Sequence, residues 1–359
     1  MLLNCRMSYT NHLHILKCPV TGEDLRPAGE TELQQVNAVS LEKETFQQGL
    51  INAGATIFYP VVDEILLLLP LYSVRLKGEN QQEQISFDRQ RIFNYFKAIG
   101  YYEFEGQQIY ADAAQFVDFR PFLKEYTSMG FANTGKYLPA SGNYFADIAC
   151  GPVAFKEFVQ LAAGYQCRIC VDLSLNALQQ ARKNLLQSNQ PHLMICADML
   201  HLPIKDNIAD AVICQHALFH VPKHDQAGAL QQLVSIAKPK APVAIVYDWF
   251  YHSWFMNIAL GPVQLYRIAR HVSGKWYARF FKKNKLYFHA HSPRWFRINN
   301  PGCSIQFYTW RSVNIYFSRM YLHNNRFGRM VLKWVIDLEK KYPEKMGKLG
   351  EYGIILIRK

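Results

Sequence analysis

Five short polar clusters, each closing an apolar run, hold the residues of this chain whose types and spacing could do chemistry. They are Asp147-Ile-Ala149-Cys-Gly151-Pro-Val153, Asp172-Leu173-Ser174, Asp198-Met199, Gln215-His216 with His220 four residues on, and Tyr247-Asp248. Gly151 lets backbone come close to a ligand because no Cβ intervenes, and Asp172 offers two acceptor oxygens, the number that a vicinal diol needs. A neutral imidazole at His216 or His220 is suited to taking up a proton near pH 7, with His216 the stronger candidate. Tyr247 and Asp248 are polar groups fit to orient a substrate. Each position also has a plainer reading. Asp147 and Asp198 can cap the turns that follow them, Met199 can be core, His220 can be bonded within its own loop, and Tyr247 and Asp248 can be pocket wall.

The elements that would position these groups follow from hydrophobic spacing. It predicts strands over Tyr144–Ala149, Arg168–Leu173, His192–Ala197, Ala209–Gln215, Ala241–Trp249 and Ser304–Arg311 and a last, antiparallel edge strand over Tyr352–Arg358, with helices over Phe155–Ala163, Leu175–Gln187 and Gln226–Ala237. Strands alternating with helices imply parallel βαβ units with right-handed crossovers. In such a doubly wound α/β sheet, ligands bind at the carboxyl ends of the strands, so the five clusters converge on one crevice. Cys167 and Cys170 have the spacing of a metal or redox pair, but on a strand residues three apart face opposite sides. No metal role is expected of them.

The strand ends, in this order, resemble those of the class I methyltransferases, and the resemblance covers about residues 140–250. It implies a Rossmann-like, mainly parallel, seven-stranded sheet that binds S-adenosyl-L-methionine. It further implies that Asp147, Ala149 and Gly151 meet the methionine part of the cofactor, Asp172 and Leu173 the ribose, and Asp198 and Met199 the adenine. Gln215, His216, His220, Tyr247 and Asp248 then fall on the methionine and acceptor side. The chain departs from the family where Ala149 and Val153 replace its first and third turn glycines. A dinucleotide-binding Rossmann domain is the competing reading, with Asp172 on a nicotinamide cofactor's ribose, but a pyrophosphate lying on the turn would tolerate the two replacements less well.

The chain divides into residues 1–72, a connector over 73–139 expected to be helical, and residues 140–359 with an insertion over about 250–303. In the first part Lys17-Cys18-Pro19-Val-Thr21-Gly22, ending in an apolar run, Thr56–Leu71, that reads as one strand, resembles the small zinc-ribbon domain that accompanies several tRNA, rRNA and protein methyltransferases. Zinc-bearing members have a second Cys at the position held here by Thr21, and Cys150 is the next Cys in the sequence, so a small α+β domain without metal is expected. Its expected role is docking on the catalytic domain or substrate.

Half of the 359 residues are apolar and 19% are charged, a globular composition. Met1–Lys17 lacks the apolar centre of a secretory signal, and the eight Cys look like reduced core thiols, so a cytoplasmic location is expected. The net charge of +12 is concentrated: between Trp249 and Ile336 there are fourteen Lys and Arg and no Asp or Glu. Such a single-sign stretch, interleaved with aromatics from Trp254 to Phe296, predicts a basic aromatic cap that meets an anionic partner. A small anionic acceptor, RNA and an anionic membrane surface would each satisfy it. The expected activity is methyl transfer to a small anionic acceptor by in-line displacement. An RNA methyltransferase and a non-catalytic methyltransferase-like scaffold are the alternatives.

Overall fold

The computed structural model describes residues 9–39, 45–76, 87–261, 265, 269, 286–300 and 302–359. Lys282, Lys283 and Lys285, with most of the other cations of the insertion, lie outside the described residues. The N-terminal unit contains β1 (Leu25–Pro27), α1 (Glu30–Val39), β2 (Gly49–Asn52), β3 (Ile57–Val62) and β4 (Ile65–Leu67). The apolar run expected as one strand is therefore two. Asp63 and Glu64 both take left-handed φ, 51° and 62°, and this two-residue turn folds β4 back antiparallel on β3, pairing Val62 with Ile65.

The connector is mixed rather than helical. It holds β5 (Val74–Arg75), α2 (Phe87–Ala98), the hairpin β6 (Tyr101–Phe104) and β7 (Gln107–Tyr110), and α3 (Lys124–Asn133). Beyond it come β8 (Gly142–Ile148), α4 (Lys156–Gln160), β9 (Tyr165–Asp172), α5 (Leu175–Gln187), β10 (His192–Cys196), β11 (Ala211–Gln215), α6 (Gln226–Ile236), β12 (Val243–Asp248), α7 (Trp254–Ala259), β13 (Ser304–Arg311) and β14 (Tyr352–Arg358). Ser174 starts α5 by accepting a hydrogen bond from the Ala177 amide at 3.3 Å, which fixes the helix entry immediately after Asp172.

All strands except the β6–β7 hairpin join one sheet of twelve, in the order β1-β2-β3-β4-β10-β9-β8-β11-β12-β14-β13, with β5 beside β3. The expectation of seven strands is thus corrected. The five additional strands are β1 to β4 of the N-terminal unit and β5 of the connector, and β4 pairs parallel with β10, Ile65 opposite Met194 and Leu67 opposite Cys196. This pairing satisfies the main-chain groups that β10 would otherwise leave open at an edge. Leu66 and Leu68 pack in the same core cluster as Val171 and Ile195, so the core runs across the residue-72 boundary. β14, expected at the edge, is antiparallel but interior, between β12 and β13. Cys167 and Cys170 fall in different core clusters on the two faces of β9, as strand alternation requires.

Candidate active site

The strand ends of β8 to β12 open into one cavity of about 390 Å³. Asp147, Ala149, Gly151, Asp172, Leu173, Asp198, Met199, Gln215, His216, His220 and Asp248 all line it. Tyr247 does not. Its hydroxyl accepts the His291 amide at 2.9 Å and its ring packs on Trp249 and Phe296, because the residue before Asp248 on a strand faces the other side of the sheet. The expectation of an acceptor-facing Tyr247 is corrected accordingly.

The turn after β8 has three residues with left-handed φ in alternation: Ala149 at 55°, Gly151 at 57° and Val153 at 48°. The two replaced glycines therefore sit in glycine-like backbone, at a cost of about 1–2 kcal/mol each. Gly151 has a steric reason as well, since a Cβ there would lie 3.0 Å from the Tyr110 hydroxyl. Asp147 is buried in an ion pair with Arg168 of β9, whose Nε donates at 3.1 Å, and Arg168 also donates to the Phe158 carbonyl at 2.8 Å. Asp147 thus holds the turn from beneath.

Asp172 accepts the Gly151 and Ser174 amides, each at 2.8 Å, one on each carboxylate oxygen. Burial pushes its carboxyl up to about 6, against the pull of these backbone donors. Each oxygen has a second lone-pair site, so the carboxylate can still accept two hydroxyls. Asp198 has less to give: one oxygen caps the turn at Leu200, 2.9 Å away, and the other is ion-paired with Arg89 of α2. Gln215 has a buried Oε1 that no protein group among the described residues bonds.

On the far side of the cavity both imidazoles are neutral at pH 7. Burial, reinforced by the Arg311 charge, pulls His216 down to about 3, and burial pulls His220 down to about 4. His216 has φ 56° and stands edge-on to Trp310, with ring centroids 4.5 Å apart. His220 Nδ1 lies 2.7 Å from the Tyr287 carbonyl, which only accepts, so Nδ1 carries the proton and Nε2 the lone pair. The geometry therefore fixes the tautomer of His220, the residue that the sequence favoured less.

Sequence reasoning missed two groups of residues. Tyr110 and Arg89 reach the cofactor side from the connector, whose helix and hairpin pack on α5 through bonds such as Asn176 to the Lys97 carbonyl and the Gln108 amide to Asn184. Trp310, Arg311 and Tyr352 form the other group. β13 runs parallel to β12, since both are antiparallel to β14, so Arg311 also ends a strand at the carboxyl edge. A register shift between Thr309 and Arg311 lets both Trp310 and Arg311 reach the cavity. Arg311 is 6% exposed, donates Nη2 to the Phe116 carbonyl at 3.1 Å and leaves Nε with no bond among the described residues. Its guanidinium lies 5.3 and 5.1 Å from the Trp310 and Tyr352 ring centres. Glu339, whose charge it feels, is already bonded to Ser312 and Tyr126.

Residues 146–245 match the family described as a methyltransferase domain, a span that runs from within β8 to within β12 and holds the first four clusters but not Tyr247-Asp248. An uncharacterized protein of Methanocaldococcus jannaschii is 35% identical over 100 residues, covering 28% of this chain and 38% of that protein. The chain thus spans less than two-fifths of the curated relative that it matches. Among solved structures, an S-adenosylmethionine-dependent methyltransferase of Clostridium acetobutylicum is 17% identical over 36% of this chain and 52% of its own, with a TM-score of 0.31. A SAM-dependent methyltransferase of Archaeoglobus fulgidus is 14% identical over 66% of this chain and 94% of its own, with a TM-score of 0.39.

Proposed function

We propose that this chain transfers a methyl group from S-adenosylmethionine to a small-molecule acceptor that carries an anionic group. One observation carries the reading: a single cavity joins the Gly151 turn and the Asp172 carboxylate at one end to His216, His220 and a buried, under-bonded Arg311 at the other. The residues fit the cofactor. Asp172 would take the ribose hydroxyls, the turn from Ala149 to Gly151 would approach the methionine part, Gln215 has an acceptor to spare, and Leu173 and Met199 supply apolar wall. When bound, the cofactor supplies a methyl group already activated on a sulfonium.

The remaining work falls to orientation, because an activated methyl needs its acceptor held in line and shielded from water. Phe96, Phe116, Phe219 and Phe288 give the cavity apolar walls that exclude water and accept an apolar body. Arg311 presents a cation in that apolar setting, which favours a carboxylate or phosphate on the acceptor over a neutral group. His220 Nε2 can accept a hydrogen bond from an acceptor O–H or N–H and orient its lone pair, and Asp248 borders the same space.

The acid-free stretch favours a second reading, an RNA acceptor. Incubating the protein with cofactor labelled on its methyl group and a cell extract, then separating RNA from small molecules, distinguishes the two. Label in the small-molecule fraction is expected; label in RNA would replace the proposal, and failure of the cofactor to bind in calorimetry would leave the non-catalytic scaffold.

A further inference from the structure

The face built by α7 and the helix Arg326–Lys341 is at odds with ordinary helix packing. A surface helix turns its apolar stripe inward, yet here large apolar side chains point to solvent: Trp254 is 67% exposed and Ile258 78% on α7, and Phe327 58%, Met330 60% and Trp334 50% on the longer helix. Their spacings, four residues on α7 and three and four on the other helix, place each set on one side. The two sets are neighbours, because Phe255 of α7 contacts both Trp334, at 6.0 Å, and Phe317, at 6.1 Å. The inward side of the same helices is separately satisfied by a core of Leu123, Met256, Leu260, Val313 and Val335. The exposed side is therefore surplus to folding, and a contiguous apolar surface of this kind marks a contact with another phase or molecule.

Its charges say which. Arg326, Arg329 and Lys333 are exposed among the apolar residues, Arg329 held by Asn324 Oδ1 at 2.8 Å, and no Asp or Glu occurs before Asp337 on that helix or anywhere on α7. We propose that this face docks on an anionic lipid surface, with the Trp, Phe and aliphatic side chains entering the interface and the cations meeting the headgroups. Basic residues around an apolar face of Trp, Phe and Ile are what such an interface selects. RNA fits less well, because Ile258 and Met330 give bases nothing to stack on. No helix among the described residues is long and apolar enough to cross a membrane, so the contact is with one leaflet. α7 follows Asp248 at the end of β12, and the chain reaches the helix Arg326–Lys341 from Arg311 at the end of β13, both cavity-lining residues, so the docking face belongs to the edge of the sheet where the cavity opens.

The test is co-sedimentation of the full chain with vesicles of phosphatidylcholine, with and without phosphatidylserine. Wild type should partition onto the phosphatidylserine vesicles alone and be released by salt. The variant Arg326→Glu, Arg329→Glu, Lys333→Glu should lose on the order of 100-fold in partition coefficient, and Phe327→Ser, Met330→Ser, Trp334→Ser a comparable amount. All six positions are exposed, and an unchanged melting temperature checks that each variant is folded. Vesicle binding that survives in both variants, or absent binding in wild type, overturns the proposal. So does single-stranded RNA binding, or self-association in sedimentation velocity, that both variants abolish while wild type ignores the vesicles.

Discussion

Protonation of Asp172 should control cofactor affinity, and the sign can be worked out from its surroundings. Burial raises its carboxyl from 3.8 to about 6, so at pH 7 about nine-tenths of the protein has the carboxylate and at pH 5 about one-tenth. Two ribose hydroxyls need two acceptor oxygens, and the protonated group converts one of them to a donor. The apparent dissociation constant for S-adenosylmethionine should therefore rise about tenfold between pH 7 and pH 5. His216 and His220, pulled to about 3 and about 4, stay neutral throughout this window and contribute nothing to the change. Folding responds with the opposite sign. Because the folded-state value is the higher one, Asp172 favours folding below about pH 4, and that contribution, roughly 3 kcal/mol, is lost as the pH rises through 6.

Calorimetric titrations at pH 5, 6 and 7 in wild type and Asp172→Asn give the assay. The Asn variant keeps the shape but has one oxygen for two backbone donors, so a weakening of about 10- to 100-fold at pH 7 is expected, with little pH dependence left. Asp172→Ala should weaken binding by about 1–3 kcal/mol and also loosen the Gly151 turn. A dissociation constant that does not move between pH 5 and pH 7, or wild-type affinity in Asp172→Asn, would refute the ribose assignment.

Arg311→Met should leave cofactor affinity unchanged while abolishing the thermal shift that aromatic or acyl carboxylates, and not their amides, produce in the cofactor-loaded protein; an identical response to acids and amides in wild type would remove the anionic acceptor. Ala149→Gly should raise stability by up to about 1 kcal/mol, since it relieves a left-handed Ala, whereas Ala149→Val should lower it, and thermal melts decide the matter. The purified protein should carry less than one zinc per chain by elemental analysis, because Cys18 Sγ is engaged by the Tyr59 hydroxyl at 3.2 Å and the Thr21 amide at 3.4 Å, with Thr21 in place of a thiolate.

What the sequence could and could not convey divides along the range of the interactions. The parallel strands β8 to β12 are buried on both faces and read as apolar runs, so they were legible to within a few residues, and the antiparallel pair β13 and β14 was legible to the residue. A strand end at the carboxyl edge is a local signal, and all eleven expectations that line the cavity, ten from β8 to β11 and Asp248 from β12, lay within five residues of one. Tyr247 failed for a reason equally local, the alternation of a strand, since a neighbouring pair cannot both face the crevice without a bulge. Arg311 shows the converse: its strand was located correctly, but its direction depends on β14 entering between β12 and β13, and the pairing of β14 with β12 joins segments more than a hundred residues apart, which no periodicity encodes. The β4–β10 pairing is invisible for the same reason, and so is the descent of Tyr110 onto Gly151, which depends on the packing of the connector against α5. The replaced glycines are the most instructive case. Ala149 and Val153 argue locally against the turn, yet both adopt left-handed backbone, because the Asp147–Arg168 pair beneath and the bond from the Gly151 amide to Asp172 hold the loop harder than two side chains strain it. A turn retained against its own propensities, with tertiary bonds on either side of it, is what selection for a binding geometry would leave behind.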